Sequence, residues 1–193
     1  MEPITRRPLY VGLVHHPVVN RRGEPVTSAI TNLDIHDIAR TCKTYGVDAF
    51  YVINPAPSQR ILLEEILAHW LTGAGAKTNP TRCEAFRIVR YAATIAQAVQ
   101  EIRAAWGAAP ETWATSAKGG EKRISWEAAR MRLDSSQHTP LIILFGTGGG
   151  LAQEVFNLSD FIVEPIQGKN GYNHLSVRSA VAITLDRLLT RRM

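Results

Sequence analysis

The sequence predicts an α/β fold: a mostly parallel sheet of about six strands with helices on both faces. Short apolar segments alternate with helical patterns, and this alternation favours parallel strands joined by right-handed crossovers. The chain has 193 residues, of which 45% are hydrophobic and 20% are charged, as is ordinary for a globular domain. We therefore expect a single α/β domain over residues 1–193, without an internal repeat or a low-complexity linker.

Six segments are predicted strands because each is short and mostly β-branched, aromatic or leucine. They cover residues 10–14, 49–53, 86–91, 112–114, 141–145 and 161–163. Helical patterns cover residues 34–45, 58–71, 94–106, 125–133 and 176–189. Asn32 or Asp34 can cap the first helix, and Gly46, Gly73 and Gly107 follow the first three helices, where glycine commonly ends a helix.

Three polar loops, residues 15–33, 73–82 and 116–124, are longer than strand–helix connections need. The formal net charge of +5 favours a polyanionic partner such as RNA. Basic side chains in these loops are therefore predicted RNA contacts, and the alternative is that the loops are ordinary solvated surface. The basic residues concerned are Arg21, Arg22, Lys77, Arg82, Lys118, Lys122 and Arg123.

The amino-terminal segment and the cysteines favour a cytoplasmic protein. No apolar run approaches the ~20 residues that a membrane span needs, and the first residues lack a signal-peptide cleavage pattern. Cys42 and Cys83 have neither metal-ligand spacing nor a disulfide framework. We expect reduced thiols and no metal site.

Two loops near the end of the sequence indicate a ligand pocket. The predicted strand 141–145 runs into Gly146, Thr147 and three further glycines, which let backbone groups approach a ligand closely. Residues 170–188 form a polar loop that enters a helix with one apolar stripe. Such loops, at the carboxyl ends of neighbouring strands, form cofactor pockets in open α/β sheets.

The glycine-rich segment matches neither of two well-known phosphate-binding motifs. It is not a P-loop, because no Gly-Lys-Ser/Thr follows it. It is not a dinucleotide fingerprint either, because it follows the fifth predicted strand, whereas that motif belongs to the first strand–helix turn.

Three segments in order resemble the motifs of the SPOUT superfamily of RNA methyltransferases, in which the carboxyl-terminal part forms a trefoil knot. Residues 34–55 are similar to the first motif, residues 144–151 (LFGTGGGL) to the second, and residues 170–183 to the third. Residues 161–166 are similar to the strand and loop that follow the second motif, and residues 114–126 to a loop of some tRNA-modifying members. The most similar group is a small bacterial set of SAM-dependent RNA methyltransferases made of the catalytic domain alone.

The resemblance implies S-adenosylmethionine (SAM) as the cofactor, tRNA or rRNA as the substrate, and a knotted homodimer. Apolar side chains and exposed backbone of the two loops would hold the adenine. The predicted cofactor contacts are Thr115, Ser116, Leu144, Phe145, Gly146, Thr147, Gly148, Glu164, Pro165, Ile166, Gly168, Tyr172, Asn173, His174 and Leu175.

Asp34 and Arg40 are the predicted catalytic residues, since counting back from Gly46 puts them on the asparagine and the arginine of the first motif. A carboxylate can accept a proton that an amide cannot, so Asp34 is the candidate base, with helix capping as the alternative. Arg40 would hold an RNA phosphate or stabilise charge, or is an ordinary helix arginine. His15, His16 and His36 could also line the acceptor site, although a structural hydrogen bond is the alternative for each.

The chain departs from the ribose-methylating members of the superfamily. Thr147 and Gly148 stand where those members have Asn and Glu, and Tyr172 and His174 replace Ser and Asn of the third motif. These departures admit a base nitrogen as the methyl acceptor beside a ribose. The helical domain of the guanine-N1 tRNA enzymes is missing, so that activity is not expected. An inactive SAM- or RNA-binding module and an unrelated nucleotide-binding enzyme remain the alternative functions.

Overall fold

The computed structural model describes residues 6–118, 123–135 and 139–190. Its strands are β1 (Leu9–Val14), β2 (Val18–Val19), β3 (Pro25–Val26), β4 (Ala49–Ile53), β5 (Val89–Ala92), β6 (Glu111–Thr115), β7 (Arg123–Ile124), β8 (Leu141–Gly146) and β9 (Phe161–Val163). Its helices are α1 (Asn32–Thr44), α2 (Pro57–Leu71), α3 (Ala74–Thr78), α4 (Pro80–Phe86), α5 (Ile95–Trp106), α6 (Trp126–Ser135), α7 (Gln153–Leu158) and α8 (Val177–Leu189).

Seven strands of the described chain form one parallel sheet in the order β5–β4–β1–β8–β6–β9–β7. The remaining two, β2 and β3, pair antiparallel as a short hairpin. The predicted class, an α/β fold with a mostly parallel sheet, is therefore confirmed. The trefoil knot stays a prediction.

Helices cover both faces of the sheet because successive residues of its central strands point in opposite directions. Leu141, Ile143 and Phe145 of β8 are buried in a core under α1, α2, α4, α6 and α8. Ile142 and Leu144 are buried on the opposite face, under α5 and α7. A strand buried on both faces reads as a continuous apolar run, which is why β8 was recognisable from the sequence.

The strand register brings three loops together at the carboxyl edge of the sheet. Val14 of β1 lies level with Ile53 of β4 and with Gly146 of β8. The next residues, His15, Asn54 and Thr147, therefore begin their loops side by side. This edge is where a ligand binds in an open parallel sheet.

The opposite edge contains a buried ion pair. Arg7, just before β1, is 2.5 Å from the carboxylate of Glu111, and Arg132 and the indole N–H of Trp113 contact the other oxygen. Burial would raise the pKa of Glu111, but hydrogen bonds from Trp113, Arg7 and Arg132 outweigh it and lower that pKa. The contacts tie the starts of β1 and β6 to α6.

Several predicted elements differ from the structure at their boundaries. The predicted strand 86–91 is wrong at its start, because Phe86 ends α4 and β5 begins at Val89. The first helix is capped by Thr31 rather than by Asn32 or Asp34, since the hydroxyl oxygen of Thr31 accepts the Asp34 backbone N–H. The other predicted helices agree with the structure to within two residues.

The predicted loops contain short elements that periodicity did not indicate. Residues 73–82 are mostly helical, because Asn79 caps α4 and Pro80 occupies its first turn. The loop after β1 forms the β2–β3 hairpin, and the loop 116–124 ends in β7, which makes the sheet one strand wider than predicted. Helix α7 was not predicted.

Candidate functional site

A cleft of 1520 Å³ opens at the carboxyl edge of the sheet, beyond the ends of β1, β6, β8 and β9. The β2–β3 hairpin, the start of α1 and the glycine-rich loop after β8 form one side. Residues 115–118, the loop after β9 and the start of α8 form the other side. The cleft lies where the sequence predicted a ligand pocket.

The glycine-rich loop is held against the hairpin. Gly149 N–H donates to the Val19 carbonyl at 2.9 Å, and Val19 N–H donates back to the Gly150 carbonyl at 2.9 Å. A Cβ on Gly149 would lie 2.5 Å from the Val19 oxygen, and a Cβ on Gly146 would lie 2.5 Å from the Leu151 nitrogen. Contacts within the chain are therefore sufficient to require glycine at these two positions, and contact of their backbone with a ligand stays a prediction.

Gly148 has a different reason to be glycine. Its φ of 59° lies in the left-handed region, and a Cβ there would meet only the Val19 oxygen at 3.6 Å. The residue is exposed and lines the cleft. Its backbone is therefore open to a bound molecule.

The far side of the cleft is polar and internally bonded. The Thr115 hydroxyl donates to the Leu144 carbonyl at 2.9 Å, and the Asn173 amide donates to the Ala117 carbonyl at 2.8 Å. Glu164 accepts the Trp126 backbone N–H at 3.3 Å. These bonds join β6 to β8, the segment after β6 to the loop before α8, and the loop after β9 to the start of α6.

Most of the predicted cofactor contacts line the cleft. Those that do are Thr115, Ser116, Phe145, Gly146, Thr147, Gly148, Glu164, Ile166, Asn173, His174 and Leu175. Leu144 is instead fully buried on the opposite face, where its side chain lies against Gly12. Pro165 is buried outside the lining, and Gly168 and Tyr172 are exposed outside it.

Asp34 lies at the cleft in the first turn of α1. Its carboxylate accepts the Thr31 hydroxyl at 2.6 Å and lies 3.4 Å from the Arg178 guanidinium. Arg178, in the first turn of α8, also reaches Asp37 at 3.6 Å. The sequence gives no sign of this role for Arg178, because nothing in the spacing along the chain indicates that α1 and α8 pack side by side.

Arg40 lies on a different flank of α1. Six residues at 100° each place it about 120° around the helix from Asp34. It is exposed and does not line the cleft. On this flank His36 packs edge-on against Trp70 and Phe86, with ring centroids at 5.0 and 4.7 Å. Burial, then the positive charge of Arg82, lowers the pKa of His36.

The predicted RNA contacts divide into two regions. Arg21 and Lys118 line the cleft, and Arg22 lies beside Arg21 in the exposed hairpin turn. Arg123 is exposed on β7. Lys77 on α3 and Arg82 on α4 lie outside the cleft lining, and the Arg82 guanidinium stacks 4.8 Å from the Trp70 ring centre. Lys122 lies outside the described residues.

A partly buried hydrogen-bond chain borders the cleft at the end of β1. His15 Nδ1 is 2.9 Å from the Ser28 hydroxyl, which is 2.5 Å from the Thr147 hydroxyl. Thr147 is in turn 3.1 Å from the Val14 carbonyl. Burial lowers the pKa of His15 to about 4, so the imidazole is neutral at pH 7. Ser28 went unnoticed in the sequence because it belongs to no motif.

Two negative findings apply to the described residues. No group of three or more His, Cys, Asp and Glu side chains there could hold a metal ion. In the same part of the chain, no helix is both long enough and apolar enough to cross a membrane.

Comparisons with known proteins add independent information. A family profile described as "SAM-dependent RNA methyltransferase" matches residues 8–190. A protein of Oleidesulfovibrio alaskensis named "tRNA (guanine-N(1)-)-methyltransferase" is 44% identical over 183 residues, which are 95% of this chain and 42% of that protein. An uncharacterised protein of Aquifex aeolicus is 36% identical over 95% of this chain and 89% of its own length.

Among solved structures, TrmJ from Z. mobilis ZM4 is similar, with a TM-score of 0.61 and 16% identity. The similarity covers 96% of this chain and 69% of that one. At this identity the likeness concerns the fold alone.

Proposed function

Since the chain belongs to the family of SAM-dependent RNA methyltransferases, we propose that it transfers a methyl group from SAM to RNA, with tRNA as the substrate class. The observation that carries the proposal is the cleft at the carboxyl edge of the sheet, where a glycine-rich loop, an apolar slot and two carboxylates meet. The relative named as a tRNA methyltransferase supports tRNA as the substrate.

The residues of the cleft fit SAM. Phe145, Ile166 and Leu175 offer an apolar slot for adenine, and the backbone at Gly148 is open to polar contacts. Asp34 and Glu164 supply negative charge for a sulfonium cation. When bound, SAM supplies an electrophilic methyl group.

The residues of the chain would position the acceptor and remove its proton. Thr31 and Arg178 hold the Asp34 carboxylate in place, so Asp34 can accept a proton from an N–H or O–H acceptor without reorienting. Arg21 and Lys118 at the cleft would neutralise RNA phosphates. Arg40, on the other flank of α1, is better suited to an RNA phosphate than to the reacting atoms of the same subunit.

The identity of the methylated atom does not follow from the relatives. The chain spans less than half the length of the O. alaskensis protein, so the guanine-N1 activity in that name belongs to the whole protein. We therefore keep both a base nitrogen and a ribose as candidate acceptors.

We also propose a homodimer, in the cytoplasm. The apolar residues Val181, Leu185 and Leu188 of α8 are buried within their own chain and lend the dimer no support. Better support comes from exposed hydrophobic residues beside the cleft, Leu33 (65% exposed) and Tyr172 (69%). Free thiols at Cys42 and Cys83 suit a reducing compartment. Light scattering at micromolar concentration should give twice the monomer mass, and a monomer would contradict the dimer.

The function is tested by calorimetry and by methyl transfer. SAM should bind, with NAD and ATP as negative controls, and label from methyl-labelled SAM should appear in bulk tRNA more than in rRNA. Binding without transfer to either RNA would favour an inactive binding module. Preference for NAD or ATP over SAM would favour an unrelated nucleotide-binding enzyme.

A further inference from the structure

On the side of the cleft formed by the hairpin, the start of α1 and the glycine-rich loop, three lining residues carry hydroxyl groups: Ser28, Thr31 and Thr147. A hydroxyl has one proton to donate and two lone pairs that accept. What this side offers a ligand therefore depends on where those three protons are used.

The proton of Thr31 is used within the protein. Its hydroxyl is 2.6 Å from the carboxylate of Asp34, which can only accept when ionised. The Thr31 oxygen in turn accepts the Asp34 backbone N–H at 3.2 Å. The hydroxyl has no proton left for a ligand.

The protons of Ser28 and Thr147 follow from the acceptor at the end of their chain. The Val14 carbonyl can only accept, so Thr147 must donate to it. Thr147 then has no proton for Ser28, and Ser28 must donate to Thr147. Ser28 in turn has none for His15, so His15 must donate through Nδ1–H. Only this arrangement makes all three contacts hydrogen bonds at once.

This arrangement requires a proton on His15 Nδ1, and in a neutral imidazole the lone pair is then on Nε2. His15 is fully buried, and its Nε2 has no hydrogen-bond partner among the described residues. The lowered pKa of His15 agrees with a neutral ring. His15 is thus the first donor of a chain that runs to Ser28, then to Thr147, and ends at the Val14 carbonyl.

We propose that Ser28, Thr31 and Thr147, with the Asp34 carboxylate, form an acceptor-only subsite that binds a hydrogen-bond donor of the ligand. Each hydroxyl has only a lone pair left, and the carboxylate adds negative charge. The donor is an ammonium, an N–H or an O–H group. A carbonyl oxygen or a phosphate there would face lone pairs and would be repelled.

Given the proposed function, two molecules could supply the donor. One is SAM, through its α-ammonium group, and the other is the nucleoside that receives the methyl group, through its N–H or O–H. The experiments below separate these sources. They also separate failure of the subsite from failure of the methyltransferase activity.

The proton arrangement is tested first, without any ligand. Proton–nitrogen correlation spectra of the imidazole groups should show His15 protonated on Nδ1 at pH 7, with assignment by loss of the signal in His15→Asn. Protonation on Nε2 would leave Nδ1 able only to accept, so the three contacts could not all be hydrogen bonds, and that result would overturn the proposal.

Binding is then measured on Thr147→Val and Ser28→Ala. If SAM supplies the donor, both variants should bind SAM about 10-fold more weakly, the usual effect of losing a hydrogen bond to a charged group. Their affinity for 5′-methylthioadenosine, which lacks the amino-acid tail, should then be unchanged. If the nucleoside supplies the donor, SAM affinity should persist while kcat/KM for bulk tRNA falls about 10-fold.

Two further variants exclude a purely structural effect. Thr147→Ser keeps the hydroxyl and should restore SAM affinity and kcat/KM for tRNA to the parent values. Such a recovery would show that the effect of Thr147→Val comes from the missing oxygen and not from misfolding. Thr72→Val removes a hydroxyl that donates to the Ala68 carbonyl outside the cleft and should change neither. Unchanged SAM affinity and unchanged kcat/KM in Thr147→Val would refute the subsite. If the parent protein methylated no tRNA, the proposed function would fail. The imidazole spectra and the SAM affinities of the variants would then decide whether the subsite exists.

Discussion

At the residue scale, Asp34 is the side chain on which the proposed chemistry depends most. It lines the cleft with its carboxylate held by Thr31 and Arg178. Asp34→Asn keeps the shape and an oxygen that accepts from Thr31 but loses the ability to take a proton. We expect a folded variant that binds SAM and methylates RNA roughly 10²-fold more slowly, the usual scale for losing a general base.

Asp37→Asn is the matched control. Asp37 shares Arg178 with Asp34 but is more exposed and does not line the cleft. Single-turnover methylation rates of the two variants compare the roles directly. A rate for Asp34→Asn within about threefold of the parent would leave Asp34 a structural partner of Arg178.

His15 should make the stability of the protein depend on pH. Its pKa falls from 6.5 to about 4 on folding, so between these values the unfolded chain binds the proton and the native protein does not. The free energy of unfolding therefore rises with pH in this window. The contribution of His15 is lost as the pH falls from 6.5 to 4. The shift corresponds to about 3 kcal/mol.

Urea unfolding between pH 4 and 7 measures this dependence. In His15→Asn the free energy of unfolding should rise by about 3 kcal/mol less over this pH range than in the parent. This difference does not depend on the stability of the variant at pH 7. His174→Gln removes an exposed imidazole and serves as the control. An equal slope in His15→Asn and in the parent would remove His15 as the cause.

The sequence revealed the site where adjacent residues form a motif. Thr147 and Gly148 belong to one loop and Asn173 to another. Each loop is continuous in the sequence and carries a motif, and both line the cleft. Ser28 and Arg178 act through partners far along the chain, Thr147 and Asp34, so no local pattern indicates them. Leu144 was assigned to the cleft because strand alternation, which turns it to the other face, was not applied to it.

At the element scale, the hairpin and the glycine-rich loop behave as one unit. Gly149→Ala puts a Cβ where the Val19 oxygen is 2.5 Å away, so the two segments must separate. We expect SAM affinity to fall about 10-fold or more, since the loop lining the cleft would move, and calorimetry measures the change.

Gly107→Ala provides the comparison. Gly107 caps α5 with a φ of 73°, so alanine there is strained by about 1 kcal/mol, but the residue is outside the cleft. Its SAM affinity should match that of the parent. Equal SAM affinity in both variants would mean that the contact between loop and hairpin does not shape the cofactor site.

Element length determines what the sequence could predict. The buried strands are evident as short apolar runs, and the helices of ten or more residues show a period over several turns. Helices α3, α4 and α7 have five to seven residues, less than two full turns, and so show no clear stripe. The two-residue strands β2, β3 and β7 are likewise too short to alternate.

At the scale of the whole molecule, RNA binding should be electrostatic and depend on salt. Arg21 and Arg22 extend from the hairpin at the cleft, and neither forms an ion pair with a described residue. If each neutralises one phosphate, the Arg21→Ala, Arg22→Ala variant should reduce the magnitude of the log–log salt slope by about 1.5. Fluorescence anisotropy with bulk tRNA at several salt concentrations measures this slope.

The double variant Arg60→Ala, Arg103→Ala removes the same number of arginines from α2 and α5, outside the cleft. Its slope should equal that of the parent. If both double variants reduced the slope equally, the effect would come from overall charge, and the hairpin would lose its role as a contact.

The hairpin also joins the two proposed binding sites. Val19 is hydrogen bonded to the loop that would hold SAM, and Arg21 and Arg22 follow directly in the sequence. If SAM steadies this segment in the geometry that RNA requires, each molecule must raise the affinity for the other by the same factor, because binding free energies are reciprocal. The loaded enzyme would then select RNA in preference to the empty one, and spent cofactor would leave more readily once the tRNA had gone.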